Sequence, residues 1–173
     1  MRGQSMFRLG RAFHFQKYLS RDAKLIRMPN LSQLLEPQVR PALIKDLSEF
    51  IQQTVNEQSG ISGMAIKGAV STVTRVNSEI IPKGINQILP DMLGDLAPRW
   101  EEFEKSGAQD FGAFLEKDSD KVADAVMSTA DRHAERINVT PLAKAYKSLR
   151  NKGAKIVEGK VPELGGILQN HMK

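Results

Sequence analysis

The stretch SGISGMAIKGAVSTVTRV, residues 59–76, decides how the chain is read. On a helical wheel starting at Ile61, the apolar set Ile61, Ala65, Ile66, Ala69, Val70, Val73 and Val76 gathers on one side, and Lys67, Ser71, Thr74 and Arg75 take the other. Ser59 or Ser62 is placed to cap the N-terminus by accepting a bond from a free backbone N–H. Glycines ahead of a helix also serve to cradle phosphates, so the two uses must be separated. A Walker-type loop needs G-x-x-x-x-G-K-S/T, with the lysine for phosphate oxygens and the hydroxyl for magnesium. Here Gly63 and Gly68 have the right spacing, but Ala69 and Val70 stand where lysine and serine or threonine are required. The dinucleotide fingerprint G-x-G-x-x-G is absent, and no strand pattern precedes the loop. The expectation is therefore close helix packing through Gly63, Ala65, Gly68 and Ala69, at a cost of about 1 kcal/mol for the interior glycine.

Working outward, the apolar spacing is helical from Leu31 onward, with no sustained period-two alternation. LSQLLEP reads as a short opening turn that stops before Pro37. Pro41 suits the first turn of a helix striped by Leu43, Ile44, Leu47, Phe50, Ile51 and Val55. The run IIPKGINQILPDMLGDLAPRW reads as helical segments broken at Pro82, Pro90 and Pro98, since each proline removes a donor. Trp100, Phe103, Phe111 and Phe114 read as aromatic core anchors. Residues 118–136 give another helix, Thr140-Pro141 starts the next, and Gly153 separates that one from a final segment. The fold class expected is all-α, a compact bundle of roughly seven short to medium helices without a sheet.

At 173 residues the chain suits one domain, and it has no cysteine. That excludes disulfides, thiolate zinc sites and cysteine nucleophiles. No apolar run approaches the roughly 20 residues of a membrane span, and the location expected is the cytoplasm. The net charge of +5 is unevenly spread. Residues 1–27 hold seven basic side chains and one acid, while the remaining 146 hold 18 basic and 19 acidic ones. Four of the ten aromatic residues also lie in that first segment. Three readings compete for it. One is an arm that touches an anionic membrane surface or nucleic acid through Arg8, Arg11, Phe13, Phe15 and Lys17. Another is an organelle transit peptide. The third is an upstream start codon assigned in error, with Met28 as the true start of a domain covering 28–173.

Sites of chemistry are hard to find. His14, His133 and His171 are far apart and form neither H-x-x-x-H nor H-E-x-x-H, so no metal and no cofactor is expected. Asp118, Asp120 and Asp124 hint at a calcium loop, but the glycine and the closing glutamate are missing, and a solvated helix start is the better reading. Glu101, Glu102 and Glu104 lie in a strongly polar run and read as solvated surface. No G-x-S-x-G elbow exists. Catalysis is not expected.

Taken together, SGISGMAIKGA, the LP at Leu89-Pro90, DFGAFL at 110–115, KVADAVM at 121–127, AYKSLR at 145–150 and VPELGGIL at 161–168 resemble a family of small uncharacterised actinobacterial proteins. The resemblance covers about residues 28–169. It implies the fold and the domain boundary, favours the start at Met28, and leaves an organelle signal without a purpose. It brings no activity, ligand or catalytic residue.

One charge pattern bears on function. Residues 91–124 carry ten acids against four bases, and residues 132–173 carry nine bases against three acids. Internal charge pairing explains much of this. The alternative is a basic patch of Lys144, Lys147, Arg150, Lys152, Lys155 and Lys160 for an acidic protein partner, or head-to-tail self-association. The function expected is a non-catalytic helical interaction protein. The runner-up is a peripheral membrane or lipid-binding protein that uses the basic arm or an apolar groove between helices. A nucleic-acid partner ranks third, because the domain is near neutral and carries no recognisable motif.

Overall fold

The computed structural model describes residues 30–173, so the arm residues Arg8, Arg11, Phe13, Phe15 and Lys17 lie outside the described residues. Leu31–Lys173 forms one compact unit. A 3₁₀ turn at Leu31–Leu35 leads into α1 (Arg40–Glu57), α2 (Gly60–Val76), α3 (Ile80–Ser106), α4 (Phe111–Glu116), α5 (Ser119–Ala134) and α6 (Thr140–Asn170). No strand occurs among the described residues. The all-α bundle read from the apolar spacing is the observed fold, with two of its expected breaks missing.

The first missing break is at the prolines of α3, which runs unbroken for 27 residues with Pro90 and Pro98 inside it. A proline at position i costs the bond to the carbonyl at i−4, so a continuous helix must satisfy that carbonyl elsewhere. Pro82 lies in the first turn, where its missing N–H has no helical partner to lose. Pro90 frees the carbonyl of Asn86, and the Arg40 guanidinium of α1 donates to that oxygen at 2.7 Å. Pro90, Pro98 and Gly94 all face solvent, where a helix bends at little cost in packing. The second missing break is at Gly153, which sits inside the 31-residue α6. Its Cβ-less face looks toward the Met127 methyl group of α5 at ordinary contact distance, 3.9 Å from an ideal Cβ.

The core forms where α1, α3, α4, α5 and α6 meet. Leu43, Leu89, Leu96, Phe111, Val122, Val161 and Leu168 are fully buried, each contributing about 1.5–3 kcal/mol by burial. Trp100, Phe103 and Phe111 form the aromatic centre, with Trp100 edge-on to Phe111 at a centroid distance of 4.8 Å and Phe103 at 5.2 Å from Phe111. Their role is packing, as read from the sequence. The short helix α4 is held at both ends of its first turn. Asp110 accepts from the Ala113 N–H at 3.0 Å, and Gln169 of α6 accepts from the Phe111 N–H at 3.0 Å.

The closest helix crossing lies between α4 and α6, not at α2. A Cβ on Gly112 would fall on the Pro162 carbonyl oxygen, and one on Gly165 would stand 2.7 Å from the Gly112 Cα. The residues expected to pack α2 divide differently. Gly63 is buried, and an added Cβ would meet the Gln58 backbone at 2.6 Å. Gly60 takes a positive φ of 72° and turns the chain. Ala69 is half-buried, whereas Ala65 and Gly68 face solvent, and nothing lies within 4 Å of a Cβ on Gly68. The reason is a rotation of α2 about its axis. Gly63, Ile66, Val70 and Val73 turn inward, leaving Ile61 at 90%, Met64 at 74% and Val76 at 61% exposure. The expected serine cap is absent as well: Ser59 occupies the N-cap position without a side-chain bond.

Candidate functional site

Inward rotation of α2 places Ile66 and Val70 over a space that the rest of the bundle does not fill. The result is a cavity of about 330 Å³ between α1, α2, α3, α5 and α6, partly open to solvent. Leu47, Phe50, Ile51 and Val55 of α1 form one wall, and Ile85, Ile88 and Met92 of α3 form the floor. Val126 and Ala130 of α5 and Leu149, Ile156 and Val157 of α6 complete it, with Gly153 leaving room where a side chain would stand. Among the lining residues only Thr54 and Lys160 are polar. A volume of this kind falls at the small end of ligand pockets, roughly 300–1,000 Å³, and apolar walls with very few polar groups are their usual composition.

Both polar residues sit where α1 and α6 approach each other. Lys160 donates to Glu57 of α1 at 2.7 Å and to Glu163 one turn on at 2.9 Å. The bond to Glu57, then that to Glu163, holds the Lys160 ammonium above the usual lysine pKa. The same bond, with a second from Gln53 at 3.0 Å, holds Glu57 below the usual carboxylate range. Thr54, three residues before Glu57, is buried, and its hydroxyl has no hydrogen-bond partner.

Of the basic residues singled out in the sequence, Arg150 and Lys160 are paired within the fold. Arg150 is bound to Asp131 of α5 through two nitrogens, the shorter contact at 2.8 Å, and Tyr146 donates to the same carboxylate at 2.5 Å. Arg150 first and Tyr146 second lower the Asp131 pKa, while burial and then Asp131 push the Tyr146 phenol up. Lys160 lines the cavity and pairs with Glu57 and Glu163. Lys144, Lys147, Lys152 and Lys155 are exposed, and Lys155 borders a separate polar cleft with Glu116, Ser119 and Glu158. Two further pairs tie α5 to α3, Arg132 to Asp95 at 2.8 Å and His133 to Asp91 at 2.8 Å. These two pairs join the basic segment of the sequence to its acidic one. Asp118 begins α5 with no side-chain cap bond and meets Lys121 at 3.5 Å.

The cavity was only faintly legible from sequence, as an unspecified groove between glycine-bearing helices. Its walls are the same apolar stripes that build any helical core, and no spacing rule distinguishes a filled core from a hollow one. No helix among the described residues is long and apolar enough to cross a membrane. No curated protein and no solved structure matches the chain. A family model does match residues 31–172, the same span that folds as one unit, and the chain belongs to that family, described as a family of unknown function (DUF6918).

Proposed function

We propose that this domain is a non-catalytic binding protein for a small apolar molecule, held in the cavity between α1, α2 and α6. The observation that carries the reading is the cavity itself: about 330 Å³ with two polar residues in its lining. Protein interiors are packed to the density of organic crystals, so a space of this size is a departure that costs stability when empty. Of the two polar side chains in its walls, Lys160 is held by two carboxylates, and the Thr54 hydroxyl has no hydrogen-bonded base to activate it. Binding without bond-making is what such walls support. The basic-patch route to a protein partner has less in its favour, because Arg150 and Lys160 are engaged within the fold.

Calorimetric titration of the full chain with butylbenzene, a compact hydrocarbon, tests this reading. The expected dissociation constant is about 10–100 µM, within the per-atom limits for small ligands. Val70→Phe fills the cavity from α2 and should abolish the heat of binding while retaining the helical signal. Failure of the wild-type chain to bind, or equal binding by Val70→Phe, would defeat the proposal.

A further inference from the structure

Exposed apolar side chains are not spread evenly over the described residues. Of the four large ones open to solvent, Ile61 at 90%, Met64 at 74% and Val76 at 61% all belong to α2, and only Val139 lies elsewhere. They share one face of that helix. At 3.6 residues per turn, Ile61, Met64, Ala65, Gly68, Thr72 and Val76 fall within an arc of about 120°, and all six are exposed. The Thr72 hydroxyl bonds back to the Gly68 carbonyl at 2.9 Å, so Thr72 can leave water without stranding a donor. Apolar residues gathered on one exposed face mark a contact surface more often than singly scattered ones do.

Charge gives the face its second property. α2 carries Lys67 and Arg75 and no acid, whereas α1, α3, α4, α5 and α6 each carry at least one. Both cations are exposed, and neither pairs with a carboxylate among the described residues. The nearest acids along the chain, Glu57 and Glu79, are held by Lys160 at 2.7 Å and Lys83 at 3.4 Å. The face is apolar and positive at once.

Those two properties choose between occupants. A second copy packed on α2 across a two-fold axis would bring four cations into one contact to which α2 supplies no acid. A peptide needs a groove to fill, and Ile61 and Met64 project from the surface, lining neither the cavity nor the polar cleft. Projecting apolar tips beside cations match a fluid surface of acyl chains and anionic head groups. There the tips enter the hydrocarbon boundary, and lysine and arginine stay among the phosphates.

We infer that α2 docks on an anionic lipid surface, with Ile61, Met64 and Val76 inserted and Lys67 and Arg75 on the lipid phosphates. The helix lies in the interface plane, since no described helix is long and apolar enough to cross a membrane. From its other side the same helix turns Ile66 and Val70 to the cavity, so docking face and cavity wall belong to one element. The inference stands on the outer face alone and needs no ligand in the cavity.

Co-sedimentation of the full chain with phosphatidylcholine vesicles containing about one-third phosphatidylglycerol tests it. The expected result is partition onto these vesicles that weakens about tenfold or more between about 0.05 and 0.5 M salt, and about tenfold weaker partition onto phosphatidylcholine alone. Ile61→Ser with Met64→Ser, and separately Lys67→Gln with Arg75→Gln, should each lower the partition about tenfold or more. All four residues are exposed, so both variants should keep the helical signal. Residues 1–27 are unchanged in both, so a basic arm acting alone would leave the partition as in wild type. Absent partition of wild type, or unchanged partition of either variant, overturns the inference. So does a wild-type dimer that Ile61→Ser with Met64→Ser turns into a monomer in sedimentation velocity, which gives the face to a second copy. Met64→Trp reports position: its emission should shift to the blue on the anionic vesicles and be quenched by bromine on the acyl chains. An unmoved spectrum places residue 64 in water and overturns the inference as well. Butylbenzene titration is a separate readout, so the cavity reading and this one stand or fall independently.

Discussion

Glycine means different things at different positions of this chain, and only contact separates them. Gly165 and Gly166 are neighbours in sequence, yet a Cβ on Gly165 would meet the Gly112 Cα at 2.7 Å and one on Gly166 would meet nothing within 4 Å. Gly165→Ala should therefore destabilise the fold by about 2–3 kcal/mol, the usual range for forced overpacking. Gly166→Ala should stabilise it by up to about 1 kcal/mol through helix propensity. Urea unfolding of the two variants measures both, and equal effects would show that the α4–α6 crossing is looser than described. Gly68→Ala belongs with Gly166, since its site is open as well. The sequence showed that small residues cluster near residue 63 but could not show which of them face a neighbour. That choice is made by the rotation of α2, which follows from where α1 and α6 place their apolar side chains. Arg40 was equally illegible: nothing in its local sequence says that it will hold the carbonyl freed by Pro90, 46 residues away.

At the scale of elements, polar links decide which helices are firmly attached. α5 is joined to α3 through Asp95 with Arg132 and Thr129, and to α6 through Asp131 with Arg150 and Tyr146. The bond from Thr129 first, then Arg132, lowers the Asp95 pKa, and Arg150 first, then Tyr146, lowers that of Asp131. A carboxylate with a lowered folded pKa contributes stability that is complete above its ordinary pKa and is lost as pH falls through the folded value. Stability to urea should thus hold near neutrality and decline below about pH 4. Asp131→Asn should start less stable and decline less steeply, and an unchanged slope would remove Asp131 from this account. α2 stands apart. It buries only Gly63 and Ile66 and carries Ile61 and Met64 outside. Its amides should exchange hydrogen faster than those of α3 and slow on addition of butylbenzene, because the ligand completes the surface it lies on. Exchange of α2 that is unaffected by butylbenzene would contradict its role as a wall of the site. The continuous α3 and α6 show why element boundaries were the weakest part of the reading. Proline and glycine mark where a helix is costly, and solvent exposure or a borrowed donor from another helix decides whether it breaks.

For the whole molecule, helical periodicity carried the fold class, because the stripes of α1, α3 and α5 each place their leucines and valines on one side. It could not reveal that the stripes enclose a space, since hollow and solid cores have the same sequence pattern. The central claim is that this space is a binding site. Methyl proton–carbon correlation spectra of the full chain, recorded with and without saturating butylbenzene, test it most directly. The account expects resonances of Ile51, Val70, Ile156 and Val157 to shift, while Leu31, Leu34 and Leu168, buried elsewhere in the core, stay in place. At a free ligand concentration one hundred times the dissociation constant, stability should also rise by about 2.7 kcal/mol. Spectra in which no methyl moves, or in which shifts fall on the exposed Ile61 and Val139 instead, would contradict the claim.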